Sequence, residues 1–125
     1  MQLDRAEESL KAATLCLEAD LVNSACSRAY YAMFQAAQVA LEATGVTRAE
    51  WSHPGLQATF ATELIHRRKT YPAVFRDYLA AGFGIRRAAD YGRSGVSKKI
   101  ALRLVRRAAS FVAAVRETTP HGNRL

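Results

Sequence analysis

The stretch Val74-Phe75-Arg76-Asp77-Tyr78-Leu79-Ala80-Ala81-Gly82-Phe83-Gly84-Ile85-Arg86-Arg87-Ala88-Ala89-Asp90-Tyr91 carries apolar residues at two sets of helical spacings. Val74, Tyr78, Ala81, Ile85 and Ala88 form one set, suited to the core of a helical bundle. Leu79, Phe83, Arg86 and Asp90 form the other, at i, i+4, i+7 and i+11. A helix that is apolar on two faces is covered on two sides, and in a small bundle the second cover is another subunit. Leu79, Phe83, Arg86 and Asp90 are therefore expected at a dimer interface. Arg86 and Asp90 stand one turn apart and can pair, which compensates a guanidinium inside an apolar seam. The alternative is a wide core face with an ordinary surface ion pair. Gly82 and Gly84 weaken the helix, which suggests a close backbone approach on this element.

Helical periodicity extends in both directions and strand-like alternation is absent. A first helix is expected from about Asp4 to Asp20, with Leu3, Ala6, Leu10, Ala13, Leu17 and Leu21 along one stripe. A second, capped by Asn23 or Ser24, runs to about Ala43 and stops at Gly45. Its buried stripe is Tyr30, Met33, Phe34, Ala37 and Leu41, and its wetter flank is Arg28, Tyr31, Gln35 and Glu42. A connection follows that holds Thr47-Arg48-Ala49-Glu50, a capping-box candidate. Ser52-His53-Pro54 restarts the helix, which reaches the basic run His66-Arg67-Arg68-Lys69. Cations at that end complement the helix dipole, so the run needs no ligand. Tyr71-Pro72 breaks the chain before the fourth helix, about Ala73 to Tyr91. After a turn over Gly92 to Gly95, Ser97 caps a fifth helix to about Glu117, with Ile100, Leu104, Ala108, Phe111 and Val115 as its core stripe. The fold class is all-α, an antiparallel bundle of four to five helices over residues 1–117, with a polar tail, expected to fray, over 118–125.

The chain's 125 residues make one domain, and its 23% charged and 50% hydrophobic residues are a globular mix. No apolar run reaches membrane-spanning length. The N-terminus lacks a charged lead followed by an apolar stretch, and Cys16 and Cys26 have no paired spacing, so a reducing, cytoplasmic setting is expected. Charge is divided unevenly. Residues 1–65 hold 4 Lys or Arg against 8 Asp or Glu, and residues 66–125 hold 14 against 3, giving −4 and +11 within the net +7. Such a basic half suits RNA, nucleotide phosphate or an acidic protein, or is simply a solvated face. Lys99, Arg103 and Arg106 share one side of the fifth helix at i, i+4 and i+7, a line that can track phosphates.

Four segments, in order over about residues 4–116, resemble the small prokaryotic HEPN-domain proteins. They are Ser27-Arg28-Ala29-Tyr30-Tyr31-Ala32-Met33-Phe34-Gln35-Ala36-Ala37; His53-Pro54-Gly55-Leu56 with Phe60; Arg86-Arg87-Ala88-Ala89-Asp90-Tyr91-Gly92; and Ser97 through Ala108 to Phe111-Val112. The resemblance implies a helical bundle that dimerises, with the signature helices of two subunits facing a shared cleft. It also implies ties to RNA or nucleotides, and in many members a minimal nucleotidyltransferase partner in a toxin-like pair. Catalytic members are metal-independent ribonucleases carrying Arg followed by His after four to six residues. Arg86 matches that arginine, but Tyr91 stands at the fifth position after it and no histidine occurs between Arg86 and Gly95. A phenol, with a reference pKa of about 10, is a poor base at neutral pH but can donate a hydrogen bond.

Three functional expectations follow. In the first, a homodimeric module binds RNA or nucleotide phosphate through Arg28, Arg87, Arg93, Lys99, Arg103 and Arg106, with little or no catalysis, alongside a nucleotidyltransferase-like partner. In the second, Arg86, Tyr91 and Asp90 form a catalytic set in an active ribonuclease. A non-catalytic scaffold that meets an acidic protein is the third. Tyr91 could also be a modification target. Arg28 is expected to face Asp90 or to line the cleft with Arg86. His53 could join a catalytic or phosphate site, but beside Pro54 at a helix start it reads first as a cap or turn residue, and His66 and His121 read as surface. Ser94-Gly95 is either a plain turn or a small anion nest. Neither a metal-ligand spacing nor a phosphate loop of Walker or dinucleotide type is present, so no metal and no cofactor are expected.

Overall fold

The computed structural model describes residues 3–119 and contains five helices and no strand among them. They are α1 (Leu3–Glu18), α2 (Val22–Glu42), α3 (His53–Phe60), α4 (Val74–Tyr91) and α5 (Lys98–Thr118). A π-helical turn, Ala61–Arg67, continues α3 without a break. His121 and the tail beyond Thr119 lie outside the described residues. No described helix is long and apolar enough to cross a membrane.

α2 is the centre of the bundle because it is apolar nearly all round. Alanines 25, 29, 32, 36, 37 and 40 let neighbouring helices approach closely, and Tyr30, Met33 and Leu41 fill the space between them. α1 covers one side of α2, and α5 and α4 cover the others. Side-chain pairs fix the directions. Ser9 and the Gln35 amide lie 2.8 Å apart, so α1 runs against α2. Ser27 Oγ donates to Asp90 Oδ1 at 2.5 Å, so α4 also runs against α2. Asp20 meets Lys98 at 2.6 Å, and Glu7 pairs with Arg116, so α5 is antiparallel to α1 along its whole length.

The helix ends show which local signals operate. Ser97 Oγ accepts from Ile100 N–H at 3.3 Å, so the expected cap of α5 forms, and Ser52 Oγ accepts from Gly55 N–H at 3.0 Å, which caps α3 one residue earlier than a first-position Pro54 would require. Asn23 and Ser24 do not cap α2, which starts at Val22. Asn23 Oδ1 instead accepts from Val96 N–H at 3.0 Å, filling the place where an anion nest was considered, and Gly95 turns there with φ +70°. Gly45 ends α2 with φ +88°, a left-handed conformation that suits glycine. Thr47 to Glu50 forms no helix. Thr118 and Thr119 are not tail but the end of α5. Thr118 Oγ1 lies 2.5 Å from Tyr71 Oη, and Thr119 is buried.

The two faces assigned to α4 exchange places. The core face is Phe75, Leu79, Gly82 and Ala89, with the largely buried Arg86 on the same line. Leu79 is wholly buried inside its own protomer, so it is not available to a second subunit as the sequence suggested. Val74 is 43% exposed, and Ala81 and Ala88 are exposed as well. Gly82 decides the matter, because a Cβ there would stand 2.8 Å from Met33 and 3.3 Å from the Tyr30 ring. Only the glycine side of α4 can approach α2 so closely. Gly84 faces open space. Two other residues leave their expected stripes: Leu21 is exposed between α1 and α2, and Ile100 is exposed in the first turn of α5, before the fully buried Leu104.

At the other end of α4 the core is aromatic. Phe60, Tyr71, Phe75 and Phe111 form a closed cycle of ring contacts, at 5.4, 5.8, 4.7 and 5.3 Å between centroids. The cycle joins α3, the following connection, α4 and α5.

Candidate functional site

α2 runs against α4 in a register that puts Ser27 and Tyr31 beside Asp90 and Arg86. The Arg86 side chain is 17% exposed, and its Nε lies 3.0 Å from Asp90 Oδ2 at an angle too bent for a hydrogen bond. Its Cζ sits 5.3 Å from the Tyr31 ring centroid, over the π face. Asp90 thus divides its carboxylate between Arg86 and the Ser27 hydroxyl. The predicted Arg86–Asp90 pair forms, and α2 holds it from the side.

The sequence favoured a helix-start role for His53 over a place in a site, and the fold brings it beside Arg86 as well. Ser52 caps α3, so His53 occupies the first helical position and Pro54 the second. Its Nδ1 lies 2.7 Å from Tyr30 Oη. Its ring stacks on Phe83 at 4.7 Å and leans on Phe34 at 4.9 Å. Burial, and then the positive charge of Arg86, lower the His53 pKa below its usual value. Burial likewise pushes the Tyr30 phenol up to about 12, with the Gln57 side chain acting the other way.

His53, Phe83, Arg86, Arg87 and Tyr91 line an open groove of about 410 Å³. A second groove of about 490 Å³ is lined by Asn23, Ser24, Ser27, Arg28, Tyr31, Ala89 and Asp90. Arg28 therefore lines a groove with Asp90, and Asp90 makes its ion pair with Arg86. Arg87 stacks over Phe83 at 5.9 Å. Tyr91 is 74% exposed at the groove edge. Arg93 is exposed and lines neither groove. Lys99, Arg103 and Arg106 remain exposed on α5 outside both, with no ion pair among the described residues. No cluster of three or more His, Cys, Asp or Glu occurs among the described residues. Both cysteines are free, and burial and then the Asp90 charge raise the Cys26 thiol to about 11.

The His53 environment has a consequence for stability. An unfolded histidine takes up its proton near pH 6.5, whereas folded His53 does so at lower pH. Between those two values the unfolded chain binds more protons, so this group's contribution, complete above 6.5, declines as pH falls and levels off below the folded pKa. Urea unfolding of the native chain and His53→Gln between pH 7.5 and 5 should show a smaller acid-induced loss in the variant.

The HEPN domain family matches residues 2–118, nearly the whole chain. The chain belongs to that family. It is 32% identical over 112 residues to a UPF0332 protein of Gloeobacter violaceus, in a match covering 88% of this chain and 86% of that protein. Membership points to a nucleotide- or RNA-related module.

Proposed function

We propose that the chain is a homodimeric HEPN module that binds single-stranded RNA or nucleotide phosphate at the Arg86 groove. The observation that carries this reading is the state of Arg86. Its guanidinium is largely withdrawn from water, oriented by Asp90 and Tyr31, and lines an open groove. An arginine fixed this way keeps donors for a phosphate without the entropic loss of ordering a free side chain. Arg87 adds a second charge, and the exposed Tyr91 ring at the edge gives a base a stacking face, which favours single strands over duplex. Lys99, Arg103 and Arg106 would extend the electrostatic attraction outside the groove.

The apolar line of α4, with Val74, Ala81 and Ala88 exposed and Ile85 half-buried between them, supports dimerisation through that helix, with the two Arg86 grooves facing a shared cleft. The family resemblance supports a nucleotidyltransferase-like protein as the other half of a two-protein module, and the two free cysteines support a reducing, cytoplasmic setting. Tyr91 fits a stacking role, since its ring is 74% exposed at the groove edge.

The test is fluorescence anisotropy with a short labelled oligoribonucleotide and with a mononucleotide. Arg86→Ala should weaken binding by about tenfold to a hundredfold, the value of one charge-assisted contact. Neutralising Lys99, Arg103 and Arg106 together should flatten the salt dependence while leaving the mononucleotide affinity unchanged. Equal affinity in native protein and Arg86→Ala would remove the proposal.

A further inference from the structure

The end of the bundle opposite Ser27 and Asp90 holds a cleft of about 240 Å³, smaller than either groove beside Arg86. Three helices end at it. Ala43, Arg68 and Thr119, the residues that cap the C-termini of α2, of the π-helical turn and of α5, all line its wall. A helix C-terminus leaves carbonyl oxygens without an intrahelical partner and carries partial negative charge. Three such ends at one cleft favour a cation or a hydrogen-bond donor, although no carboxylate side chain lines it.

The hydroxyl groups there add to that character, because a hydroxyl has one proton to give. Thr44 Oγ1 gives its proton to Leu41 O at 2.8 Å, and Thr119 Oγ1 gives its own to Val115 O at 2.9 Å. Thr118 Oγ1 donates to Ala114 O at 2.8 Å, so in the contact between Thr118 and Tyr71 the phenol is the donor. Burial raises the Tyr71 pKa above its usual value, and the phenol keeps that proton. All four protons are committed within the protein. What Thr44, Tyr71, Thr118 and Thr119 have left for a ligand is lone pairs. Tyr71 and Thr119 are 6% and 3% exposed, so bulk water competes little for them.

The other lining groups differ in kind. Of the basic run from His66 to Lys69, Arg68 lines the cleft, while Arg67 turns to Glu63 at 3.2 Å. Arg68 makes no ion pair among the described residues. Lys69 takes a left-handed φ of +53°, and the residues on either side of it, Arg68 and Thr70, both line the cleft. Ala40 and Leu64 supply an apolar patch.

We propose that this cleft binds a small zwitterionic amino acid with an aliphatic side chain. Its ammonium group takes the hydroxyl lone pairs and the helix ends, its carboxylate pairs with Arg68, and its methyl groups rest on Ala40 and Leu64. A simple cation would leave Arg68 facing like charge. A simple anion would meet committed hydroxyls and the negative ends of three helices. A ligand with both charges satisfies both parts of the wall. The small volume limits the side chain to about the size of valine. None of this depends on the assignment of the Arg86 groove.

The experiment titrates the full, untagged, isotope-labelled chain with L-alanine and L-valine and follows its amide NMR shifts. The amides of Thr44, Thr70, Tyr71 and Thr119 should move and those of Ala89 and Asp90 should not, with a Kd of about 0.1–1 mM, within reach of so small a ligand. N-acetyl-L-alanine lacks the ammonium group and ethylamine lacks the carboxylate, and each should bind at least about tenfold more weakly than L-alanine. Arg68→Gln should weaken L-alanine about tenfold and leave ethylamine unchanged. Thr44→Val keeps the shape of the side chain and removes an acceptor, so it should weaken L-alanine and ethylamine alike. Leu41 O keeps the backbone N–H donors at positions 44 and 46 in that variant, which preserves the end of α2. Thr118→Ala, on α5, tests the same acceptors independently of α2. Absence of shifts at about 10 mM of either amino acid overturns the proposal. So does binding of N-acetyl-L-alanine or ethylamine as tight as that of L-alanine, or an unchanged affinity in Arg68→Gln. Arg86→Ala should take L-alanine as the native chain does, so loss of RNA binding and loss of amino-acid binding are read separately.

Discussion

Phe111→Ala should melt at a temperature about 12–20 °C below that of the native chain, from a loss of about 3–5 kcal/mol at about 4 °C per kcal/mol. The size of the effect follows from where the ring sits. Phe111 is wholly buried, stacks on Phe75 at 4.7 Å and leans on Phe60 at 5.3 Å, so one side chain joins α5 to α4 and α3. Truncation removes a large apolar surface and leaves a cavity walled by aromatic rings, which are too rigid to collapse into it. A domain of this size has about 5–15 kcal/mol in total, so the variant should be marginal at 37 °C. Calorimetry checks this, and Phe111→Leu, which keeps most of the volume, should recover more than half of the loss. A melt within a few degrees of native would show that the aromatic cycle does not hold these helices together.

Ala81→Arg should convert the proposed dimer to monomer while leaving the melting behaviour of the protomer nearly unchanged. Ala81 is exposed at the middle of the apolar line of α4, so an arginine there meets water in the lone protomer. Across a two-fold axis the same substitution appears twice, and two long cations would have to be buried against an apolar face and each other. A central substitution of that kind weakens association by about 2 kcal/mol or more, about thirtyfold in Kd. Sedimentation equilibrium over a concentration series reads the shift directly, with Ala88→Arg as a second position. If both variants sediment as the native chain does, α4 is not the contact between copies.

Most of the fold is written in local patterns. The restart at Ser52-His53-Pro54, the stop at Gly45 and the cap at Ser97 are signals between near neighbours, and all three operate, the restart with Pro54 one position further in than read. α4 was the harder case, because its two lines are similar in hydropathy and periodicity ranks them poorly. What separates them is space rather than polarity. Gly82 lets α4 settle onto Tyr30 and Met33, and Phe75 completes that face, so Leu79 points inward and Ala81 outward. Both glycines were noted in the sequence, but which of them met the neighbouring helix depends on tertiary packing. The Arg86–Asp90 pair was legible from i, i+4 spacing, whereas its third member, Ser27, comes from another helix. His53 illustrates the same limit. Its local context, beside a proline at a helix start, gives it a structural role, and that role is real. The same start places its ring on Phe83, beside an arginine on another helix.

The ion pairs that tie the two ends of α1 to α5 also fix where the polypeptide enters and leaves the bundle. The Glu7–Arg116 pair brings the first and last described turns side by side, and Tyr71, Thr118 and Thr119 anchor that end. Ser27 and Asp90 mark the opposite end of α2. A fluorescent tag, a resin tether or a circular permutation that joins those neighbouring ends would therefore sit away from the Arg86 groove, and each should be tolerated without blocking it.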